Sequence, residues 1–237
     1  MGCARRVHPP EDSMPVDHVV WDSLVQAHVS EDGWVDYKGF IEDSVRLNRY
    51  LNLLSQHHPN KAHWTRDEQL AYWINAYNAF TVQLIIRHYP IKSIRKITWT
   101  IPFINTPWKI KFIHIQGIFY SLGQIEHDIL RKQFQEPRIH FAINCASYSC
   151  PPLLNHAYQP NQIDTQLNHA AVRFINDPLR NKISKNKVEV SSIFLWFRGD
   201  FTKDRTLKDF LNSYSNIPVR SDQSIKYLPY DWTLNEQ

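Results

Sequence analysis

One long segment of the chain, residues 65–88, is apolar on nearly every face of a helix. Thr65 is followed three positions later by Glu68, which is the spacing of a capping box and predicts that a helix begins there. Pro90 cannot continue a helix, so we expect the helix to end near residue 88. A helix that is apolar all round must be covered by other elements. The sequence therefore predicts a central, buried helix at about residues 65–88.

The rest of the chain favours an α+β fold with a small, mainly antiparallel sheet packed against several helices. Residues 109–115 alternate polar and apolar side chains before Gly117, which predicts a β-hairpin. Residues 138–144 and 187–190 are predicted to be strands. Amphipathic periodicity predicts helices at about residues 16–29, 40–54 and 162–175. The capping-box spacing of Ser121 and Gln124 predicts another at 121–135, and a last helix is predicted at 206–214. No βαβ rhythm connects these segments.

Composition places the chain among ordinary globular proteins. It has 237 residues, of which 43% are hydrophobic and 21% charged. We expect residues 1–15 to form a flexible tail, because they are polar and rich in proline, and residues 16–237 to form a single domain. The aromatic closing segment, residues 227–234, is expected to lie back on the core.

Several classes of function are disfavoured. The net charge is +4 and the basic residues are scattered, which does not indicate nucleic-acid binding. No apolar stretch approaches the roughly 20 residues that a membrane span needs. No glycine-rich phosphate-binding motif occurs, and we expect no cofactor.

Two asparagines, Asn75 and Asn78, lie on one face of the predicted central helix. A buried asparagine without hydrogen-bond partners costs about 1–3 kcal/mol. The simpler interpretation is that both side chains tie the helix to a loop. The alternative is that one of them orients a catalytic group.

Four ordered motifs resemble the family named domain of unknown function 547, DUF547. They are LAYWINAYNAF at 70–80, SLGQIEHDILR at 121–131, RIHFAINCASYSCP at 138–151 and IFLWFRGDF at 193–201. Trp21, residues 32–37 and residues 230–235 are similar to its exported bacterial branch. The resemblance implies a secreted, periplasmic or envelope-associated protein, and it implies no established reaction.

Cys3 has three interpretations. It could be an ordinary thiol in the tail, the lipid-accepting cysteine of a bacterial lipoprotein, or part of a dual-acylation signal that Arg6 makes a poor match. Any membrane anchoring is expected to occur only through a lipidated Cys3.

The side chains that could take part in catalysis lie in the second and third motifs and on the central helix. The candidate site residues are Cys145, Cys150, His140, His127, Glu126, Asn75 and Asn78. A nucleophilic thiol needs a nearby imidazole, and that imidazole needs an orienting amide or carboxylate. Cys145 or Cys150 would supply the thiol, His140 or His127 the imidazole, and Asn75 or Glu126 the orienting group. The backbone amides of residues 145–150 could receive an oxyanion.

This combination suggests a cysteine-dependent hydrolase or acyltransferase that uses a Cys/His pair. Cys145 is the first choice of nucleophile, because it directly follows the predicted strand that carries His140. Cys150 is the second choice, because Pro151 removes a backbone donor beside it. An elongated substrate such as a peptide or a glycan would suit a cleft lined by tryptophan.

Alternatives remain open. Cys145 and Cys150 could form a structural pair in a non-catalytic envelope binding or structural domain, or a thiol redox centre. Two cysteines and two histidines could also bind zinc, but their spacing lacks the usual close cysteine pair, so we expect no metal site.

Overall fold

The computed structural model of the protein describes residues 12–97 and 106–237. Cys3 and most of the predicted tail lie outside the described residues. The helices are α1 Val19–His28, α2 Tyr37–Glu42, α3 Ser44–Gln56, α4 Arg66–Ile86, α5 Gln124–Phe134, α6 Ile163–Ile175, α7 Ile193–Trp196, α8 Arg198–Phe201 and α9 Leu207–Asn212. The strands are β1 Ile113–Ile115, β2 Ile118–Tyr120, β3 Lys182–Ile183, β4 Val188–Ser191 and β5 Ile225–Leu228.

Helix α4 confirms the predicted central helix. The Thr65 hydroxyl accepts the backbone N–H of Glu68, and the Glu68 carboxylate accepts the backbone N–H of Thr65, so the capping box is complete. Every residue from Leu70 to Ile85 is buried. Helices α2, α3 and α5 pack against α4. The all-round apolar pattern of this segment is therefore satisfied by neighbours on all sides.

The fold is α+β, as predicted, and its strands form two small sheets. Strands β1 and β2 make the predicted antiparallel hairpin, with Gly117 in the left-handed region at φ 81°. In the other sheet, β4 lies between β3, which is antiparallel to it, and β5, which is parallel to it. Strand β5 was not predicted, because its pairing is set by contacts with a distant segment.

The predicted strand at residues 138–144 is wrong. Residues Pro137–Phe141 form a 3₁₀ helix, in which the Ile139 N–H donates to the Glu136 carbonyl. The Glu136 side chain also accepts the Arg138 N–H and caps this turn. Ile139 and Phe141 are buried as alternation suggests, but His140 between them is buried too. Local capping around Pro137 thus prevails over the pattern of alternating apolar residues.

Two predicted helices differ in detail. The helix expected at residues 40–54 is divided into α2 and α3, which meet at Asp43. Helix α5 has the wider winding of a π-helix, which is rare beyond a single turn and is frequent at functional sites. The predictions for α6 and α9 are confirmed.

The core has two clusters of buried side chains. The larger cluster surrounds α4, and the smaller one combines five phenylalanine side chains with aliphatic residues that include Val188 and Val190 of β4. A cavity lies where they meet, because it is lined by Tyr77 from the larger cluster and Ile193 from the smaller one.

The C-terminal segment lies back on the core, as predicted. Trp232 and Leu234 pack against the larger cluster, and the Asn235 carbonyl accepts the Val35 N–H at 2.9 Å. At the other end of the described chain, Ser13 is buried and its carbonyl accepts the Trp64 indole N–H at 2.7 Å. No helix in the described parts of the chain is long and apolar enough to cross a bilayer.

Candidate functional site

The turn that carries both cysteines is fixed to helix α4 by Asn78. The Asn78 amide donates to the Ala142 carbonyl at 2.9 Å and accepts the Asn144 N–H at 2.8 Å. Asn144 in turn accepts the Ala146 N–H and donates to the Pro151 carbonyl, both at 2.8 Å. These bonds hold Ala146 in the left-handed region at φ 58°, which is unfavourable for a residue with a Cβ atom. The turn is therefore held in an uncommon conformation by its surroundings.

The C-terminal segment and Arg180 hold the outer side of the same turn. The Arg180 guanidinium donates to the carbonyls of Cys150 and Tyr148, at 2.6 and 3.1 Å. The Tyr148 and Ser149 amides donate to carbonyls at Thr233 and Asp231.

These bonds limit the predicted role of the turn's backbone amides. Within residues 145–150, five of the six amides already have acceptors inside the protein: those of Cys145, Ala146, Tyr148, Ser149 and Cys150. No acceptor among the described residues takes the Ser147 amide. Only this amide is left to receive an oxyanion from a substrate.

The two cysteines do not form a disulfide, and their thiol groups are in close contact. Their Sγ atoms lie 2.9 Å apart, and the backbone N–H of Cys145 donates to Cys150 Sγ at 2.9 Å. The Tyr230 hydroxyl lies 3.3 Å from Cys145 Sγ and 2.9 Å from Ser147 Oγ. The contacts of Cys150 Sγ are the backbone N–H and the thiol of Cys145, and the Tyr230 and Ser147 hydroxyls surround that thiol.

The two thiols differ in acidity. The hydrogen bond to Cys150, and then burial, raise the pKa of the Cys145 thiol well above its usual range. Burial also disfavours ionisation of Cys150, but the thiol and the backbone N–H of Cys145, with Tyr230 and Ser147, outweigh it and lower the pKa of Cys150 to about 7. The pair therefore shares one proton near neutral pH, with the thiolate on Cys150.

His140 is oriented by Asp200. Its Nε2 atom donates to Asp200 Oδ2 at 2.7 Å, and the ring stacks on Phe197 with centroids 4.0 Å apart. Arg131 donates to both oxygens of the same carboxylate, at 2.6 and 3.0 Å. Although burial disfavours the carboxylate, the bonds from His140 and Arg131 hold the pKa of Asp200 well below its usual range.

Because Nε2 of His140 carries the hydrogen that is donated to Asp200, Nδ1 is the basic nitrogen of the neutral ring. Burial lowers the pKa of His140, and the bond to Asp200 opposes this only in part. Among the described residues no hydrogen-bond partner takes up Nδ1. His140 lines the same cavity as the two thiols, so this cavity contains an unpaired base.

Glu126 and His127 lie next to each other on helix α5 in different environments. Glu126 is buried, and burial raises its pKa to about 7 despite the opposing effects of Arg131 and of a 3.4 Å hydrogen bond from the Tyr77 hydroxyl. His127 is half-exposed, and its Nδ1 accepts from Arg131 at 3.2 Å. Burial, followed by the charge of Arg131, lowers the pKa of His127. Glu126 is therefore the better placed of the two for proton transfer at neutral pH.

A cavity of about 180 Å³ brings five of the predicted residues together. These residues are Glu126, His127, His140, Cys145 and Cys150. The aromatic side chains on its wall are Tyr77, Trp108, Trp196, Phe197, Tyr230 and Trp232. In residues 12–97 and 106–237, no group of three or more His, Cys, Asp or Glu side chains has an arrangement that could hold a metal ion.

The two asparagines of α4 bind backbone groups rather than a thiol or an imidazole. Asn75 donates to the carbonyl of Tyr158 at 2.8 Å and accepts its N–H at 2.9 Å. Asn78 makes the equivalent pair of bonds to the segment that leads into Cys145. Asn78 therefore positions the thiol turn indirectly, while Asn75 anchors a different loop.

Sequence reasoning missed Asp200, Arg131 and Tyr230. Asp200 lies 60 residues from His140 along the chain, and Tyr230 lies 85 residues from Cys145. No spacing rule connects residues so far apart. The available signal was that all three fall within segments that carry the family resemblance.

Residues 61–175 match the family model described as protein of unknown function, DUF547. The matched segment contains three of the four motifs and every predicted site residue, which supports the family resemblance for that part of the chain. The family description assigns no reaction. Comparisons with curated proteins and with solved structures found no match.

Proposed function

We propose that the protein is a cysteine-dependent acyltransferase or hydrolase with a Cys/His pair. The observation that carries this proposal is that one cavity is lined by both thiols and by an imidazole whose other nitrogen is bonded to a carboxylate. Nucleophile, base and orienting group are the three parts that thiol catalysis needs. Here the orienting group is Asp200 rather than the predicted Asn75 or Glu126.

Cys150 is the preferred nucleophile in this proposal. Its Sγ accepts the backbone N–H of Cys145, and this donor is fixed by the turn and stabilises a thiolate. Cys145 Sγ is instead the neighbour that donates its proton to Cys150. This order reverses the one that the sequence favoured.

In the first half-reaction, the Cys150 thiol gives its proton to His140 Nδ1 as its sulfur attacks a carbonyl carbon and forms a C–S bond. His140 Nδ1 then gives this proton to the leaving group as the bond to that group breaks. In the second half-reaction, His140 Nδ1 takes a proton from water or another acceptor, which attacks the thioester, and the Cys150 thiolate leaves. The substrate class expected from the sequence, a peptide or a glycan, stays a proposal.

Acylation by p-nitrophenyl acetate tests the proposal. We expect intact mass to show one acetyl group on Cys150, lost again on standing, and no acetyl group on the Cys150→Ser variant. The His140→Ala variant should be acylated more slowly and should keep the acetyl group longer. Equal acetylation of Cys145 and Cys150, unaffected by His140→Ala, would contradict the proposal.

A dithiol redox centre is the second candidate function. It is favoured by the 2.9 Å separation of the two Sγ atoms and by their unequal pKa values, with one acidic thiol and one that resists ionisation. Equilibration in glutathione buffers of graded potential, read as a mass decrease of about two hydrogens, would measure its potential. A potential near that of the glutathione couple favours redox function, while a much lower one indicates a structural disulfide.

Export to the cell envelope, implied by the resemblance to the bacterial branch, is proposed on that resemblance alone. It bears on the thiols, because oxidising compartments favour disulfides. Fractionation of cells that express the full-length protein would test it, and recovery in the cytosol alone would contradict it.

A further inference from the structure

The side chains of the cavity carry acidic groups without a matching cation. Glu126 supplies a buried carboxyl group, and the Cys145–Cys150 pair supplies a readily ionised thiol. No lysine or arginine is among the described residues that line the cavity. Arg131, which lies beyond the wall, is already neutralised through two hydrogen bonds to Asp200. A ligand group that complements the charge of this cavity is therefore positively charged.

The aromatic wall of the cavity suits the same kind of group. The ring centroids of Tyr230 and Trp232 lie 4.5 Å apart, and those of Trp108 and Trp232 lie 5.5 Å apart, so the rings form one continuous surface. One ring of this wall already attracts a cation, because the Arg95 guanidinium, which does not line the cavity, lies 5.4 Å from the Trp232 centroid. Aromatic faces attract cations through their negative quadrupole.

A chain of hydrogen bonds connects the aromatic wall to the carboxyl group. The Trp108 indole N–H donates to the Tyr77 hydroxyl at 3.4 Å, and that hydroxyl donates to Glu126 Oε2 at 3.4 Å. Both bonds are long, and no other partner of the Glu126 oxygens lies closer than the 4.0 Å to His127 Nδ1 among the described residues. The carboxylate thus keeps acceptor capacity for a stronger donor from a ligand.

We propose that this cavity binds the alkylammonium end of an amine substrate, with Glu126 as its ion-pair partner and the aromatic rings against its methylene groups. This inference rests on the proposed acyl transfer and makes an amine the acyl acceptor. The volume of about 180 Å³ is adequate, since a cavity of about 150 Å³ holds benzene. A chain of four carbons with a terminal nitrogen is of similar size.

The chemical step balances with the groups present. Glu126 takes one proton from the ammonium group, and the neutral nitrogen attacks the thioester carbon of acylated Cys150. The new C–N bond replaces the C–S bond, and His140 Nδ1 takes the second proton. The products are an amide, the Cys150 thiolate and two protons held on the protein.

Binding is measured without chemistry on the full chain carrying Cys145→Ser and Cys150→Ser, with tryptophan fluorescence as the readout. We expect butylammonium to bind at least tenfold more tightly than the neutral 1-butanol. Adding Glu126→Gln should weaken butylammonium binding at least tenfold and leave 1-butanol binding unchanged, which also shows that the variant is folded. If Glu126→Gln does not fold, the comparison of the two ligands on the parent protein decides.

Equal affinity for the two ligands would overturn the inference and indicate a pocket for a neutral apolar group. Butylammonium binding that Glu126→Gln does not alter would overturn it as well. Neither result depends on a reactive thiol, so the outcome is independent of the acylation test. Should acylation occur, butylamine should speed the loss of the acyl group and yield the N-butyl amide.

Discussion

The Nε2 atom of His140 lies 2.7 Å from Oδ2 of Asp200, on a segment 60 residues further along the chain. Since a carboxylate only accepts, Nε2 carries the hydrogen and Nδ1 carries the lone pair. The same carboxylate is held by two bonds from Arg131 on helix α5. A charged network outside the cavity thereby sets the tautomer of the base inside it.

Asp200→Asn should weaken this base. Asp200 raises the pKa of His140 against the larger effect of burial, so removal of its charge should lower that pKa further. We expect acylation of Cys150 to slow by roughly 10- to 100-fold, which is less than the roughly 10²- to 10⁴-fold that a general acid–base group supplies, because Asp200 acts only through His140. The His140 pKa can be followed by NMR titration. Asp222→Asn, which breaks an exposed pair with Arg220, serves as the matched control and should change neither quantity.

Tyr230→Phe should make the thiol pair less acidic. The Tyr230 hydroxyl lies 3.3 Å from Cys145 Sγ, and it helps to lower the pKa of Cys150. Its loss should shift the pH profile of iodoacetamide labelling upward from a midpoint of about 7. Tyr227→Phe, in strand β5 and not among the residues that line the cavity, should leave the profile in place. An unchanged profile in Tyr230→Phe would show that the thiol and backbone N–H of Cys145, with Ser147, set the acidity without Tyr230.

The variants Asn78→Ala and Asn75→Ala should both be less stable, but only Asn78→Ala should change the geometry of the site. Each substitution leaves a buried N–H and a buried carbonyl without partners, so each should lower the free energy of unfolding by about 3 kcal/mol. Only Asn78 holds the segment before Cys145, whereas Asn75 binds Tyr158. We therefore expect a slower labelling rate of Cys150 in the Asn78 variant alone, measured where both variants are fully folded. Equal loss of labelling in both would mean that general destabilisation is the cause.

The elements that local rules predict are those whose stability is largely local. The capping box at Thr65 and the glycine of the hairpin at Gly117 act within a few residues, and both are confirmed. The strand predicted at residues 138–144 is wrong because side-chain hydrogen bonds determine the conformation of that segment. There the Glu136 side chain caps a 3₁₀ turn, and the Asn78 amide donates to the Ala142 carbonyl just after it. A pattern of alternating apolar residues gives no information about either hydrogen bond.

The site was predictable as a set of residues but not as an arrangement. The thiols, His140 and Glu126 were identified by residue type and by their closeness in the chain, and the cavity brings them together. Asp200 took the orienting role expected of Asn75 or Glu126, because the bond that gives it this role crosses 60 residues. The relative acidity of the thiols depends on the hydrogen bond between them and on the backbone N–H of Cys145, whose direction follows from the turn and not from the residue sequence.

His18 provides a test of pH-dependent stability outside the site. It is buried at the N-terminal end of helix α1, and its Nδ1 is hydrogen-bonded to the Tyr50 hydroxyl at 2.8 Å. Burial lowers the pKa of His18 to about 4, against a small opposing effect of Asp17. The unfolded chain, with a histidine pKa near 6.5, therefore binds more protons between these two values.

Stability contributed by the neutral His18 is present above pH 6.5 and is lost as the pH falls toward 4. Linkage gives a loss of about 2 kcal/mol between pH 7 and pH 5 from this residue. Urea unfolding at the two pH values should show a drop in the free energy of unfolding that is smaller by about this amount in His18→Gln. His63→Gln, at an exposed position, is the control and should keep the full drop. If His18→Gln and the parent protein lose stability equally, His18 is protonated in the folded state and the assignment of its low pKa is wrong.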